Sequence, residues 1–397
     1  MNPDPPEPPH LRRPPPPIPL SVLTGCLGAG KTTLLNRLLQ DEALRDTVVI
    51  INEFGEIGLD HLLVETVDSD MILLSSGCLC CTIRGDLLTT LEDLLKRRDN
   101  FRMPAFKRVL VETTGLADPA PVLHTIMYHP YLMLRYRLDG VITAVDAVNG
   151  GATLDAHEEA VRQAAVADRI VLTKSDLLTD DAGRAAIAAL RTRLRKLNPA
   201  AKIIDAAKGE ADAAALLDAG LYAPESKIPD VRKWLNAEAF DSPPHDRAHG
   251  HHHHHHGAGH AQDAHDVNRH DARIRAFCMT SPRAIAPEAF DIFLSLLRDT
   301  QGPNLLRVKG IVALSDDPAR PIVIHGVQHV FHPPVRLAAW PDADHRTRIV
   351  FILRDLSRRY VDMLWAALTG ETASDTPDAA ALNHSPLSPG APGGLLR

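Results

Sequence analysis

The stretch "TGCLGAGKTTLLN", residues 24–36, decides how this chain folds. Gly25-Cys26-Leu27-Gly28-Ala29-Gly30-Lys31-Thr32 satisfies the pattern G-x-x-x-x-G-K-S/T at every fixed position. The chemistry needs this arrangement. Glycines let the backbone curl so that successive N–H groups point at phosphate oxygens, and the lysine reaches the β- and γ-phosphates. The hydroxyl of Thr32 is placed to bind Mg²⁺. Before the loop, "IPLSVLT" (18–24) is short, apolar and rich in branched residues, as a buried strand is. After it, "KTTLLNRLLQDEAL" carries leucines at helical spacing. A glycine-rich turn without a ligand is the bland alternative, and the strand-loop-helix context disfavours it. Gly25, Gly28, Ala29, Gly30, Lys31, Thr32 and Thr33 are therefore the first candidate nucleotide contacts.

Working outward, further apolar runs occur at 47–52, 71–76, 108–114, 140–145 and 169–174. Helical patterns such as "DLLTTLEDLLKRR" and "DAHEEAVRQAAVA" lie between most of them. Strands alternating with helices predict an α/β fold, the doubly wound and mostly parallel sheet of a P-loop NTPase. The pattern stops near residue 235. "DSPPHDRAHGHHHHHHGAGHAQDAHDVNRH" has almost no apolar side chains and is expected to be a flexible linker. Periodicity resumes at "RIRAFCMT", and a helix near 287–299 begins with Pro287. Strands at "NLLRVKGIVAL", "PIVIHGVQHVFH" and "TRIVFIL" and a helix at "SRRYVDMLWAAL" complete a smaller α+β domain. The expected organisation is a proline-rich tail at 1–17, a nucleotide domain at 18–235, the linker at 236–272, the second domain at 273–368 and a tail at 369–397.

Composition bounds the function. Forty-three basic and 50 acidic residues give a formal charge of −7, which argues against a nucleic-acid partner. No apolar run reaches the ~18 residues of a membrane span, and the proline-rich start lacks the apolar core of a signal peptide. Five cysteines without a secretion signal point to free thiols in a reducing compartment, so a cytoplasmic protein is expected. The oligomeric state is not readable.

Two further strand ends complete a nucleotide site. "RVLVETTG" ends in Glu112, a carboxylate able to hold Mg²⁺ or its waters beside the phosphate loop, and Gly115 can bring its N–H to a γ-phosphate. "IVLTKSD" ends in Thr173, Lys174, Ser175 and Asp176. A carboxylate at Asp176 can accept both N1–H and the N2 amino group of guanine, a donor pair that adenine lacks. The usual guanine motif has Asn where this chain has Thr173. Capping of the following helix is the alternative role for Asp176.

"SSGCLCC" (75–81) places Cys78, Cys80 and Cys81 within four positions. In extended chain Cys78 and Cys80 point one way and Cys81 the other, but Gly77 allows a turn that brings all three together. Three soft thiolates suit Zn²⁺, Co²⁺ or Cu⁺ and leave one tetrahedral position open. A redox role or simple burial are the other readings. His251–His256, with His245, His249, His260, His265 and His270, adds imidazoles that bind Zn²⁺, Ni²⁺ and Co²⁺ with low selectivity.

Together these stretches resemble the CobW-like family of P-loop GTPases, relatives of nickel-insertion GTPases. The resemblance rests on "TGCLGAGKTTLLN" (24–36), "INEFGEIGLD" (51–60), "GCLCC" (77–81), "VETTGLADPAP" (111–121) and "LTKSD" (172–176), with "LLRVKG", "GVQHVF" and "RIVFIL" further on. It spans roughly residues 19–368, and order and spacing agree as well as residue types. Cys26 departs from it, standing where a larger apolar residue is common. The resemblance implies GTP, Mg²⁺ and hydrolysis, with Lys31, Thr32 and Glu112 in the catalytic centre. It also implies Zn²⁺, or Co²⁺, carried at the three cysteines to a metal-receiving client protein or pathway. "NEFGEIGLD" resembles a switch segment, which makes Glu53, Glu56 and Asp60 candidates for sensing the γ-phosphate. The alternatives are a metal-sensing regulatory GTPase and a P-loop ATPase or small-molecule kinase.

Overall fold

In a computed structural model of the chain, residues 15–54, 71–76, 82–115, 117–217 and 273–370 are described. The phosphate-loop strand, β1 (Ile18–Gly25), lies at the centre of the first sheet. Around it run β2 (Thr47–Phe54), β3 (Met71–Ser76), β4 (Arg108–Thr113), β5 (Tyr136–Asp146), β6 (Arg169–Thr173) and β7 (Lys202–Asp205). Their order is β3-β2-β4-β1-β5-β6-β7, and every pairing is parallel. Strands 2–4 lie on one side of β1 and strands 5–7 on the other. That reversal opens a crevice at the carboxyl ends of β1 and its neighbours, where ligands of open α/β sheets bind.

Parallel strands need crossovers, and the helices that supply them cover both faces. They are α1 (Lys31–Leu39), α2 (Thr82–Asp99), α3 (Ala120–Tyr128), α4 (Pro130–Arg135), α5 (Gly150–Ala156), α6 (Glu158–Val166), α7 (Asp181–Leu197) and the single turn α8 (Ala213–Leu216). One face is filled by Leu20, Val22, Val109 and Val111 against Leu91, Leu94, Leu123 and Ile126. On the other, Leu23, Leu110 and Ile142 meet Leu34, Leu35 and Leu38 of α1. The predicted apolar runs all form strands; β7, "KIID", is an additional one of four residues. The helical pattern at 155–167 is broken at His157, whose extended backbone ends α5 and starts α6.

The second sheet consists of β8 (Ile274–Ser281), β9 (Leu305–Val312), β10 (Ile322–Val327), β11 (Val330–Phe331), β12 (Val335–Arg336) and β13 (Thr347–Arg354). Its order is β11-β10-β9-β13-β8, with β12 also paired to β10, and all pairs are antiparallel. Alternation decides its faces. Ile349, Phe351 and Leu353 pack with Phe290, Phe293, Val361 and Trp365 of α9 (Pro287–Gln301) and α10 (Arg358–Thr369). Ile352 points the other way and meets Leu306 and Ala165 of α6.

That contact is one part of the seat between the sheets. Beside it, Asp168, only 4% exposed, accepts hydrogen bonds from Arg307 at 2.7 Å on each carboxylate oxygen and from Lys309. Its Oδ2 also accepts from the Val141 N–H at 2.9 Å, so the same carboxylate ties β5 to β9. Burial alone would raise the carboxyl pKa of Asp168, but the two cations hold it well below the usual carboxylate range. A second polar contact lies on α3, where His124 Nε2 is 3.0 Å from the carbonyl of Val327.

Removing one member of a buried ion cluster leaves its partners desolvated and uncompensated. Asp168→Asn is expected to lower the unfolding free energy by about 3–5 kcal/mol in urea denaturation. A loss below ~1 kcal/mol would mean that the cluster does not hold the two sheets together.

Candidate functional site

The phosphate loop leaves β1 at Gly25, whose φ of +142° is open to glycine alone. A Cβ there would lie 2.4 Å from the carbonyl oxygen of Ala144 on β5. Gly28 (φ +76°) and Gly30 (φ +81°) then turn the chain through left-handed conformations, and Gly30 immediately precedes α1. The turn closes with Ala29 N–H donating to Cys26 O at 3.1 Å. Lys31 is 8% exposed, and its ammonium donates to the carbonyls of Gly25 (2.9 Å) and Cys26 (3.2 Å), so the loop is wrapped around a positive charge. The first turn of α1 has no acidic residue, and no side chain among the described residues caps it. Helix N–H groups without a side-chain cap, the positive end of the helix dipole and a lysine ammonium at one point make an anion site. Thr32 and Thr33 occupy the same turn.

Glu112 sits beside this loop because β4 pairs with β1 in the register Leu23↔Glu112. Its carboxylate is buried. Thr113 Oγ1 donates to Thr24 Oγ1 at 2.8 Å and clasps the two strand ends. At Gly115 an added Cβ would lie 2.5 Å from the backbone N of Leu27, so only glycine lets the two loops approach so closely.

The third strand end folds over the first loop. Thr173 Oγ1 donates to Ala29 O at 2.8 Å. Lys174, at φ +57°, sends its ammonium to Gly28 O (2.7 Å) and to Asp146 Oδ2 (2.8 Å). Asp176 stands exposed in the short turn Ser175–Leu177. It does not cap the following helix: the carboxylate that does so belongs to Asp180, which accepts from Gly183 N at 2.8 Å. The turn itself is braced from behind, where Ser175 donates to buried Asp205, which Arg191 also holds. Lys31, Thr32, Glu112, Gly115, Thr173, Lys174 and Asp176 are therefore gathered at one edge of the sheet, around the loop of Gly25, Gly28, Ala29 and Gly30.

Two further side chains belong to this edge. Asp146 ends β5 and lines a cavity of about 260 Å³ beside Cys26, Gly28, Asn149, Gln163 and Lys174. Burial would raise its pKa, but hydrogen bonds from Lys174, from the Asn149 side chain and from two backbone N–H groups keep it below the ordinary value. Gln163 of α6, 1% exposed, accepts from the Cys26 thiol (3.8 Å) and donates to Ala117 O at 2.9 Å and to Gly115 O at 3.5 Å. Burial raises the Cys26 thiol pKa, with Lys31 acting in the opposite sense. Asp146 carried the same signal as Glu112, an acid at the end of an apolar strand. Gln163 was signalled by a lone amide within "AVRQAAVA".

Cys78, Cys80 and Cys81, the switch residues Glu56 and Asp60, the side chain of Glu53, and the histidines of 245–270 lie outside the described residues. Among the described residues no group of three or more His, Cys, Asp or Glu side chains is arranged to hold a metal. No described helix is long and apolar enough to cross a membrane.

Comparison with known proteins accords with this arrangement. The CobW/HypB/UreG nucleotide-binding domain matches residues 19–205, and the cobalamin synthesis protein CobW C-terminal domain matches residues 274–369. The chain is 38% identical over 212 residues to the zinc chaperone YjiA of Escherichia coli, covering 53% of this chain and 64% of that protein. It is 28% identical over 363 residues to the zinc-regulated GTPase metalloprotein activator 1 of Schizosaccharomyces pombe, covering 86% and 84%. The zinc chaperone CobW of a Sinorhizobium species is 34% identical over 232 residues, covering 51% and 63%. The chain thus spans slightly under two thirds of YjiA and of that CobW protein. Among solved structures, zinc-bound YjiA GTPase from E. coli superposes with a TM-score of 0.60 at 25% identity, over 89% of this chain and 99% of that one.

Gly25 and Gly28 separate crowding from backbone strain. Gly28→Ala meets no atom within 4 Å and carries only the left-handed cost, about 1–2 kcal/mol. Gly25→Ala adds a collision with backbone, so its loss in denaturant unfolding is expected to exceed that of Gly28→Ala by ~2 kcal/mol or more. Equal losses would show that the approach to Ala144 is not a constraint.

Proposed function

The chain belongs to the CobW/HypB/UreG family, and from that premise we propose that it is a GTP-hydrolysing metallochaperone with zinc as its cargo. The observation that carries the proposal is the convergence of three strand ends on the phosphate loop, each supplying what one part of GTP requires. Curled backbone N–H groups and the α1 N-terminus receive the β- and γ-phosphates, and the Lys31 ammonium bridges them. Thr32 in the first turn of α1 and buried Glu112 on β4 are hard oxygen donors and suit Mg²⁺, which would neutralise charge on the phosphates. Gly115, packed on the phosphate loop, offers its N–H to the γ-phosphate. Asp176 is free of a capping duty and exposed at the rim, available to take the N1–H and N2 amino group of guanine. Thr173 anchors that turn to the phosphate loop through its hydroxyl, and Lys174 does so through its ammonium.

Water attacks the γ-phosphorus, the bond to the β-γ bridging oxygen breaks, and GDP and inorganic phosphate result. Gly115 then loses its phosphate partner, and loop 114–119 is released from one of its contacts. Cys78, Cys80 and Cys81 are the proposed cargo ligands: three thiolates hold Zn²⁺, or Co²⁺, and leave a fourth position for a client's donor. If the phosphate state orders that segment, hydrolysis weakens the grip on metal and favours transfer to a client protein. Thiolate chemistry of this kind requires reduced cysteines, so the proposed activity belongs in a reducing compartment such as the cytoplasm. The names of the relatives above, zinc chaperones and a zinc-regulated GTPase, support the reading. The imidazoles of 245–270 would capture metal in the same pathway.

Competition binding tests it. Unlabelled GTP and GDP are expected to displace a fluorescent guanine nucleotide, and ATP is not. Asp176→Asn should weaken guanine nucleotides by about 1.5–3 kcal/mol, roughly tenfold to hundredfold. In the same preparation, Ser at all three of Cys78, Cys80 and Cys81 should remove one tightly bound zinc per chain. ATP binding as tightly as GTP would favour an ATPase or kinase and contradict the proposal.

A further inference from the structure

Helix α6 touches the second sheet, β5, the phosphate loop and the loop that follows β4. Its last four residues are all buried. On one side Ala165 packs against Leu306 and Ile352 of the second sheet. Just beyond its end, Asp168 receives Arg307 and Lys309 from β9. Asn198, fully buried, donates to the carbonyls of Ala164, Ala165 and Ala167 at 2.9–3.0 Å and so fixes the carboxyl end of α6 against α7. Thr143 Oγ1 donates to the Gln163 carbonyl at 2.8 Å and ties the middle of α6 to β5.

On the opposite side α6 holds the loop that follows β4. Gln163 donates to Ala117 O and Gly115 O while accepting from Cys26 of the phosphate loop. One residue earlier, Arg162 donates to Asp118 Oδ2 at 3.3 Å and, one helical turn back, to Glu158 Oε1 at 3.0 Å. Glu158 also accepts from Arg354, the last residue of β13 in the second sheet. Asp118 is no idle end to this chain of charges, because its Oδ1 accepts from Ala120 N at 2.9 Å and starts α3. The four charges alternate in sign, Arg354, Glu158, Arg162, Asp118, and each is 17–31% exposed. Burial would raise the Glu158 pKa, but the two guanidinium groups hold it below its ordinary value.

We propose that α6 couples the second sheet to the phosphate site. The ion chain Arg354–Glu158–Arg162–Asp118 links β13 to loop 114–119, and Gln163 is the positioning residue that fixes this loop against the phosphate loop. A short helix pinned on one side to a sheet and on the other to a loop transmits displacement of either to the other. The seat of the second sheet therefore sets how well Gly115 is placed for a γ-phosphate, and by reciprocity a γ-phosphate strengthens that seat. A client that binds the second sheet gains, through this path, control over which nucleotide state the protein holds. This inference rests on the GTP reading above.

The test uses the full chain and the ratio of dissociation constants for GDP and a non-hydrolysable GTP analogue. Arg354, at the end of β13 in the second sheet, is the informative position. Arg354→Gln and Asp118→Asn should each lower the preference for the GTP analogue by roughly threefold to thirtyfold. The double variant should lower it no further than the stronger single one, and Arg354→Lys should restore most of it. Glu158→Gln interrupts the same chain at its middle and should reproduce Arg354→Gln should that variant fold poorly. A ratio within twofold of wild type in both Arg354→Gln and Glu158→Gln overturns the coupling, as does full multiplication of the two single effects. A wild-type chain that binds neither nucleotide overturns the GTP reading itself, a result distinct from nucleotide binding with an unmoved ratio.

Discussion

The buried ammonium of Lys31, wrapped by the carbonyls of Gly25 and Cys26, is the contact on which the rest of the site depends. A charge taken out of water must be met by oxygen, and the loop that carries this one supplies two carbonyls. The loop can turn back on the lysine only because Gly25, Gly28 and Gly30 adopt φ values that other residues resist. The same curl leaves N–H groups and a helix N-terminus aimed at one point. Its position follows from the sheet, because β1 lies between β4 and β5 at the reversal of strand order. Glu112, Thr173 and Asp146 reach the loop from neighbouring strand ends, so one topological choice assembles three chemistries.

The second sheet is joined to this site by polar contacts as well as packing. Asp168 is held below the surface by Arg307 and Lys309, a cluster whose attraction is offset by its own desolvation. Such a cluster defines orientation more than it adds stability, because a shifted sheet would leave a charge without its partner. Helix α6 stands between this seat and loop 114–119. Burying Gln163 is costly unless each amide atom is used, and it binds Cys26, Ala117 and Gly115. The geometry favours a molecule in which the nucleotide loop and the second sheet do not move independently.

The phosphate loop was legible in the sequence because its eight residues are contiguous and each conformational demand falls on a glycine. The strands were legible because those of a parallel sheet covered on both faces read as unbroken apolar runs. β7 escaped because four residues, "KIID", carry too little pattern. Pairs such as Asp168 with Arg307 or Glu158 with Arg354 join residues more than a hundred positions apart, and nothing local marks either partner. Thr173 shows a subtler limit. Its departure from the usual Asn was visible, but that its hydroxyl would reach Ala29 O depended on the approach of β6 to the loop. The break at His157, which divides one helical pattern into α5 and α6, likewise follows from tertiary placement rather than propensity.

The central claim is that the nucleotide state governs the grip on metal. It is tested most directly by titrating the full chain with Zn²⁺ in the presence of a non-hydrolysable GTP analogue and, separately, GDP. A coupling of the usual size for linked sites would make zinc binding tighter with the GTP analogue by about 5- to 150-fold. Equal zinc affinity in the two nucleotide states would contradict the account.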